Sequence, residues 1–187
     1  MRAECDFCKR AERWEKRAGK QHLRKYFTPR QQKDILRCEM RKKISLTQSL
    51  FLHGGSGVGK TVFACQLVYQ QMKENFINQS PKTYMFVNVL DMLEEIRKSY
   101  AGNEQVIEKY KHTDYLILDD LNVSKITEWV LQIFYLIINY RYEYEKITIV
   151  TSNLDYVQLI EKLQDELIVN RMKRSYKSIK MTTWKEK

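Results

Sequence analysis

A chain of 187 residues is the size of one domain with a modest appendage, long enough to bury a core of its own. No run of about 18 apolar residues occurs, so no membrane span is expected, and the charged stretch from Met1 to Arg13 lacks the apolar segment of a secretory signal. The net charge of +10 is unevenly placed: residues 1–45 carry 15 Lys/Arg against 6 Asp/Glu, residues 171–187 carry 7 against 1, and residues 46–170 hold 11 against 16.

Residues 1–45 lack strand-like alternation and are rich in Lys, Arg, Glu and Gln, which predicts a basic helical extension. Basic ends suit a polyanion, because each phosphate they neutralise releases condensed counterions. The plainer reading is a solvated helix face. Trp14, Tyr26 and Phe27 among these cations suit a protein partner or nucleic acid alike. Thr28-Pro29-Arg30-Gln31 predicts a helix start, with Thr28 as N-cap, Pro29 in the first turn and Gln31 closing a capping box. That helix is expected to run to about residue 43. Cys5 and Cys8 have the spacing of half a zinc site, but Cys38 and His22 supply no recognised second half. Four cysteines without a secretion signal point to a reducing cytoplasm, and Cys65 reads as a small buried side chain.

From Ser49 onward, short apolar strands alternate with amphipathic helices, which predicts an α/β domain with a mainly parallel sheet. Strands are expected at 50–52, 83–89, 115–118, 147–150 and 179–183. Helices are expected at 60–76, 91–100 and 104–111, and the strongest at 126–144. In that last segment Ile126, Trp129, Val130, Ile133, Phe134, Ile137 and Ile138 form one apolar face. Two further helical pieces precede the fifth strand.

Gly54, Gly55, Ser56, Gly57, Val58, Gly59, Lys60 and Thr61 form a glycine-rich loop that follows a strand and opens a helix. Glycine permits positive φ, so the loop can wrap and aim successive N–H groups at phosphates, and the helix adds the positive end of its dipole. Lys60 would bridge the β- and γ-phosphates of ATP, and the Thr61 hydroxyl would ligate Mg2+. Asp119 and Asp120 end an apolar strand, where the first carboxylate would hold Mg2+ and the second would orient or deprotonate the attacking water. Asn153 ends the next strand. An Asn there is by itself an ordinary turn residue, but the order of the three motifs makes it a sensor of the γ-phosphate.

Phosphate loop, a strand ending Leu118-Asp119-Asp120-Leu121, a helix bearing Trp129, a strand ending Thr151-Ser152-Asn153-Leu154, then Asn170-Arg171-Met172: in this order the chain resembles the AAA+ core of bacterial replicative helicase loaders of the DnaC/DnaI type and their IstB-like relatives. The resemblance covers about residues 46–184. It implies a five-stranded parallel sheet in the order 5-1-4-3-2, with little or no C-terminal helical lid. The division is then a helical extension for partner or DNA binding at 1–45 and an ATPase domain at 46–187. It further implies a homo-oligomer with nucleotide at subunit interfaces, Arg171 reaching a neighbour's site as an arginine finger, and Arg174 as the fallback. Arg97, Lys98, Tyr100 and Lys109 would line single-stranded DNA. Loaders of the DnaI type can carry a zinc-binding N-terminal domain, of which Cys5 and Cys8 would be a remnant. Asn122 and Lys125 depart from the pattern, standing where loaders carry Gly and an acidic residue.

The function so implied is ATP-dependent delivery of a hexameric replicative helicase onto single-stranded DNA. Two alternatives are an IstB-like transposition ATPase acting on duplex DNA and a small P-loop nucleotide kinase. The kinase would need an arginine-bearing lid, and no such segment follows the third strand.

Overall fold

The computed structural model of the chain describes residues 6–37, 46–99, 103–122 and 126–182. Five strands form one sheet: β1 (Ser49–His53), β2 (Tyr84–Asn88), β3 (Tyr115–Asp119), β4 (Ile147–Ser152) and β5 (Tyr176–Lys180). They are all parallel, in the order β2-β3-β4-β1-β5, which is the expected order read from the other edge. Successive residues of a strand point to opposite faces, and both faces here are buried, so the central strands read as continuous apolar runs. Phe51, Leu116, Leu118 and Val150 join one core, while Leu50, Leu52, Ile117 and Ile149 join the other.

The first core is closed by α5 (Val89–Lys98), α6 (Asn103–His112), α7 (Glu128–Glu143), α8 (Tyr156–Leu163) and α9 (Glu166–Ser175). Caps set where these helices begin. The Thr127 hydroxyl accepts from Val130 N, so α7 starts at Glu128, and Asp155 with Gln158 forms a capping box for α8. Arg141 of α7 is 1% exposed and donates to Thr148 Oγ1 and to the carbonyls of Tyr110, Thr113 and Ile147, at 2.7–2.8 Å. Burial pulls its pKa down to about 10, so it stays charged at neutral pH and fastens α6, α7 and β4 together.

The second core is closed by α4 (Lys60–Ile77) together with the N-terminal α2 (Gly19–Tyr26) and α3 (Pro29–Arg37), and α1 (Asp6–Arg13) lies against α4 outside that core. The capping box at Thr28 and Gln31 is present, with reciprocal bonds of 2.9 and 3.4 Å. Residues 38–45, where α3 was expected to continue, lie outside the described residues. Trp14 and Phe27 are corrected by the structure from partner-facing to core residues. Trp14 is 1% exposed and packs on Tyr69 and Phe76 of α4, with ring centroids 5.5 and 5.4 Å away. A π-helical turn at Trp14–Ala18 joins α1 to α2. A Cβ on Gly19 would lie 2.7 Å from Tyr69 Oη, so glycine is what lets this helix approach α4. Arg10 Nε donates to Ile77 O at 2.5 Å, occupying a carbonyl at the C-terminal end of α4.

The fifth strand begins three residues earlier than the pattern suggested. α9 passes into β5 without a loop, Tyr176 being both its C-cap and the sheet partner of Ser49. Only Tyr176 is buried in this edge strand, so its sequence carries little apolar signal.

Candidate nucleotide site

The loop from Gly54 to Gly59 joins β1 to α4 at the ends of the strands where α/β sheets take ligands. Gly57 and Gly59 have φ of +74° and +90°, and Gly59 is the N-cap of α4. Gly54, at φ +143°, is pinned by its neighbour: a Cβ there would collide with Met181 O, where the chain leaving β5 bonds back to His53 O. Gly55, Ser56 and Gly57 are exposed and Val58 is half-buried. Lys60 is buried, and all three of its ammonium donors are used: Gly54 O at 2.8 Å, Gly55 O at 2.7 Å and Asn153 Oδ1 at 2.7 Å. Burial lowers its pKa below that of an ordinary lysine, against the attraction of Asp120 and Asp119.

Asp119 is 8% exposed, and its Oδ1 accepts from Thr61 Oγ1 at 2.8 Å and Thr151 Oγ1 at 2.7 Å. Burial raises its pKa, and the two hydroxyls oppose that shift. The Thr151 hydroxyl also accepts from the Asp120 N–H at 2.8 Å, and the Thr151 carbonyl accepts from Leu121 N at 2.8 Å. Asp120 is exposed and holds φ +59°, a left-handed conformation that Asp tolerates better than most residues. Thr151 is the residue that sequence reasoning missed. Its position two before Asn153, near the end of β4, was the available signal, since residues two apart in an extended chain fall on one side. One reaches the acidic pair, the other the loop lysine.

Mg2+ takes oxygen ligands and keeps waters, relying on one or two carboxylates plus phosphates. The adjacent Thr61 hydroxyl and Asp119 carboxylate fit that donor set. Among the described residues no group of three or more His, Cys, Asp or Glu could hold a metal ion without such help.

The remaining expected residues lie elsewhere. Arg171 on α9 donates from Nε to Asn139 Oδ1 at 2.5 Å and stacks over the Tyr135 ring at 4.9 Å, so it faces α7 of its own chain. Arg174 is exposed one turn on. Arg97 lies 5.0 Å over Trp129, Lys98 pairs with Glu94 at 2.6 Å, and Lys109 pairs with Glu95. Tyr100, Cys5 and Lys125 fall outside the described residues, and Cys8 is exposed on α1. Asn122 accepts from Lys162 Nζ at 2.7 Å, which ties the loop after the acidic pair to α8.

A phosphate loop opening α4, an acidic strand end bonded to Thr61, and Asn153 at the end of the neighbouring strand bonded to Lys60, on a parallel sheet of this order, define a P-loop ATPase with an AAA+ core. The chain belongs to the family described as IstB-like ATP binding protein, whose sequence profile matches residues 25–174. No curated protein sequence matches it. Among solved structures it is similar to DnaI, at 24% identity over 97% of this chain and 88% of that one, with a TM-score of 0.60. It is similar also to the DnaC helicase loader, at 20% identity over 81% of this chain and 88% of that one, TM-score 0.60. A third is the replication initiator DnaA bound to AMPPCP and single-stranded DNA, at 18% identity over 82% of this chain and 46% of that one, TM-score 0.60. The chain thus spans less than half of that DnaA chain, and 41% of AMPPCP-bound DnaA from Aquifex aeolicus. At these identities the likeness is one of fold.

Proposed function

We propose that this chain is an ATP-dependent loader that assembles on single-stranded DNA and delivers a replicative helicase. The observation that carries the reading is the likeness to the DnaC helicase loader, which extends over 88% of that chain and so takes in nearly all of its fold. The DnaA neighbour bound to single-stranded DNA supports the same substrate.

In this reading Lys60 carries its charge to the β- and γ-phosphates of ATP, exchanging bonds to Gly54, Gly55 and Asn153 for phosphate oxygens. The loop N–H groups and the N-terminus of α4 face the same phosphates. Thr61 and Asp119 would hold Mg2+, which when bound neutralises phosphate charge. Asp120 stands exposed beside Asp119 to orient the attacking water and take its proton, and Thr151 fixes the backbone that carries it. Asn153, bonded to Lys60, reports whether a γ-phosphate is present. Arg171 completes the site of a neighbouring copy in a homo-oligomer, where a guanidinium offsets charge developing on that phosphate. Arg97, Lys98 and Lys109 contact DNA phosphates; their present partners on the surface hold them weakly.

Fluorescence anisotropy of labelled single-stranded and duplex oligonucleotides, each with an ATP analogue and with ADP, tests the reading. Tighter single-strand binding with the ATP analogue is expected. Binding to duplex alone would sink the loader and favour an IstB-like transposition ATPase, the second reading, which the family match supports.

A further inference from the structure

The N-terminal helices have a buried side and a charged one. α1, the π-helical turn and α2 follow one another without a break from Asp6 to Tyr26. Trp14, Ala18, Gly19 and Leu23 are buried against the body of the protein. Arg13, Arg17, Lys20 and Arg24 are exposed. Their spacing of four, three and four residues sets them about one turn apart, on the order of 5 Å along the axis, on one side of the helical run. That separation is comparable to the distance between successive phosphates of a nucleic-acid strand.

These four cations have no hydrogen bond or ion pair to another described residue, although carboxylates are close in sequence. Glu12 is taken by Lys16, and Glu15 by Lys73 of α4. Like charges three and four residues apart oppose the helix, and burial of Trp14 and the close approach at Gly19 hold it in spite of that. The row is therefore both unneutralised and fixed in position relative to the sheet. A flexible basic tail has only the first of these properties.

We infer that this side of the N-terminal helices is a nucleic-acid surface separate from α5 and α6, on which Arg13, Arg17, Lys20 and Arg24 grip the phosphate backbone of DNA. Contact with successive phosphates is independent of base sequence and relieves the mutual repulsion of the row. The inference rests on the reading that the chain works on DNA, but it requires neither nucleotide nor oligomer.

The test compares the full chain with a variant carrying Arg13→Gln, Arg17→Gln, Lys20→Gln and Arg24→Gln. DNA affinity is measured across a salt series, on single-stranded and on duplex oligonucleotides. For single strands the slope of log affinity against log salt should fall by about 3 in the variant, at about 0.7 for each phosphate no longer neutralised; for duplex the figure is about 0.9 per phosphate. The strand form showing the fall in slope identifies the DNA bound. A companion variant with Arg13→Lys, Arg17→Lys and Arg24→Lys should keep the slope. Turnover of ATP without DNA, and the gain in DNA affinity from an ATP analogue, should survive in the glutamine variant. Survival of that gain alongside an unchanged slope would overturn this inference and leave the loader reading standing. Absence of the gain in wild type, with the slope still falling in the variant, would do the reverse. Absence of DNA binding in wild type would sink both. Loss of helicase capture with an unchanged slope would reassign the surface to a protein partner.

Discussion

At the scale of single residues, the site rests on two side chains with opposite histories. Lys60 was legible in the sequence, because a lysine at the end of a glycine-rich loop that opens a helix has a physical purpose written into its spacing. Lys60→Ala should abolish ATP turnover measured by phosphate release, and retained turnover would mean that the site lies elsewhere. Thr151 was not legible as part of the site, since a threonine in a strand is ordinary until its hydroxyl is seen between the Asp119 carboxylate and the Asp120 N–H. Thr151→Val removes both bonds while keeping shape, and at roughly 1.5–3 kcal/mol for a bond to a charged group it should lower kcat by about tenfold or more. Nucleotide affinity should hold within a few-fold, and Thr151→Ser should restore kcat and the Mg2+ dependence. Equal loss in the serine variant would show that the methyl group, not the hydroxyl, matters.

Elements are joined here by a few polar side chains placed at strand entrances. Asp114, just before β3, accepts from the backbone N–H and the hydroxyl of Thr83 at 2.9 Å each and from Lys146 at 3.2 Å, linking the entrances of β2, β3 and β4. Burial would raise its pKa, but these donors together hold it below the ordinary carboxylate value. Its contribution is therefore complete above the ordinary value of 3.8 and is lost as pH falls through the depressed one. Asp114→Ala should cost roughly 1–3 kcal/mol in urea unfolding at neutral pH, and the gap from wild type should close on acidification below about pH 4. A gap that persisted to about pH 2 would mean packing, not charge, is responsible. Trp14→Ala should cost about 3–5 kcal/mol, as expected of a core tryptophan, in a single cooperative transition. A change within about 0.5 kcal/mol would mean that the packing of Trp14 adds nothing to the stability of the core.

For the molecule as a whole, the strand order and the positions of most elements followed from periodicity together with family resemblance, and the deviations have local causes. β5 was displaced because an edge strand covered on one side carries few apolar residues, and α9 enters it without a turn to mark the boundary. Arg171 bears on how copies meet. On its own chain it bonds to Asn139 and stacks on Tyr135, so a catalytic role requires a neighbour's phosphate site. Arg171→Ala should leave nucleotide binding intact and lower hydrolysis at least about tenfold. Mixing it with Lys60→Ala, whose subunits lack a working phosphate loop but can donate the arginine, should recover turnover. Absence of recovery would remove Arg171 from the assignment.

By itself the sequence determined the phosphate loop, the acidic strand end, the strand leading to Asn153 and the alternation of strands and helices. Each of these is a local pattern in which spacing alone specifies the backbone geometry that the chemistry requires. Only the tertiary structure decided that the N-terminal helices are sealed to α4, that Thr151 bridges the two aspartates, and that Arg13, Arg17, Lys20 and Arg24 stand in an unneutralised row. Those outcomes depend on pairs such as Trp14 with Tyr69, or Thr151 with Asp119, that are far apart in the chain, and no local spacing encodes a meeting that packing alone creates.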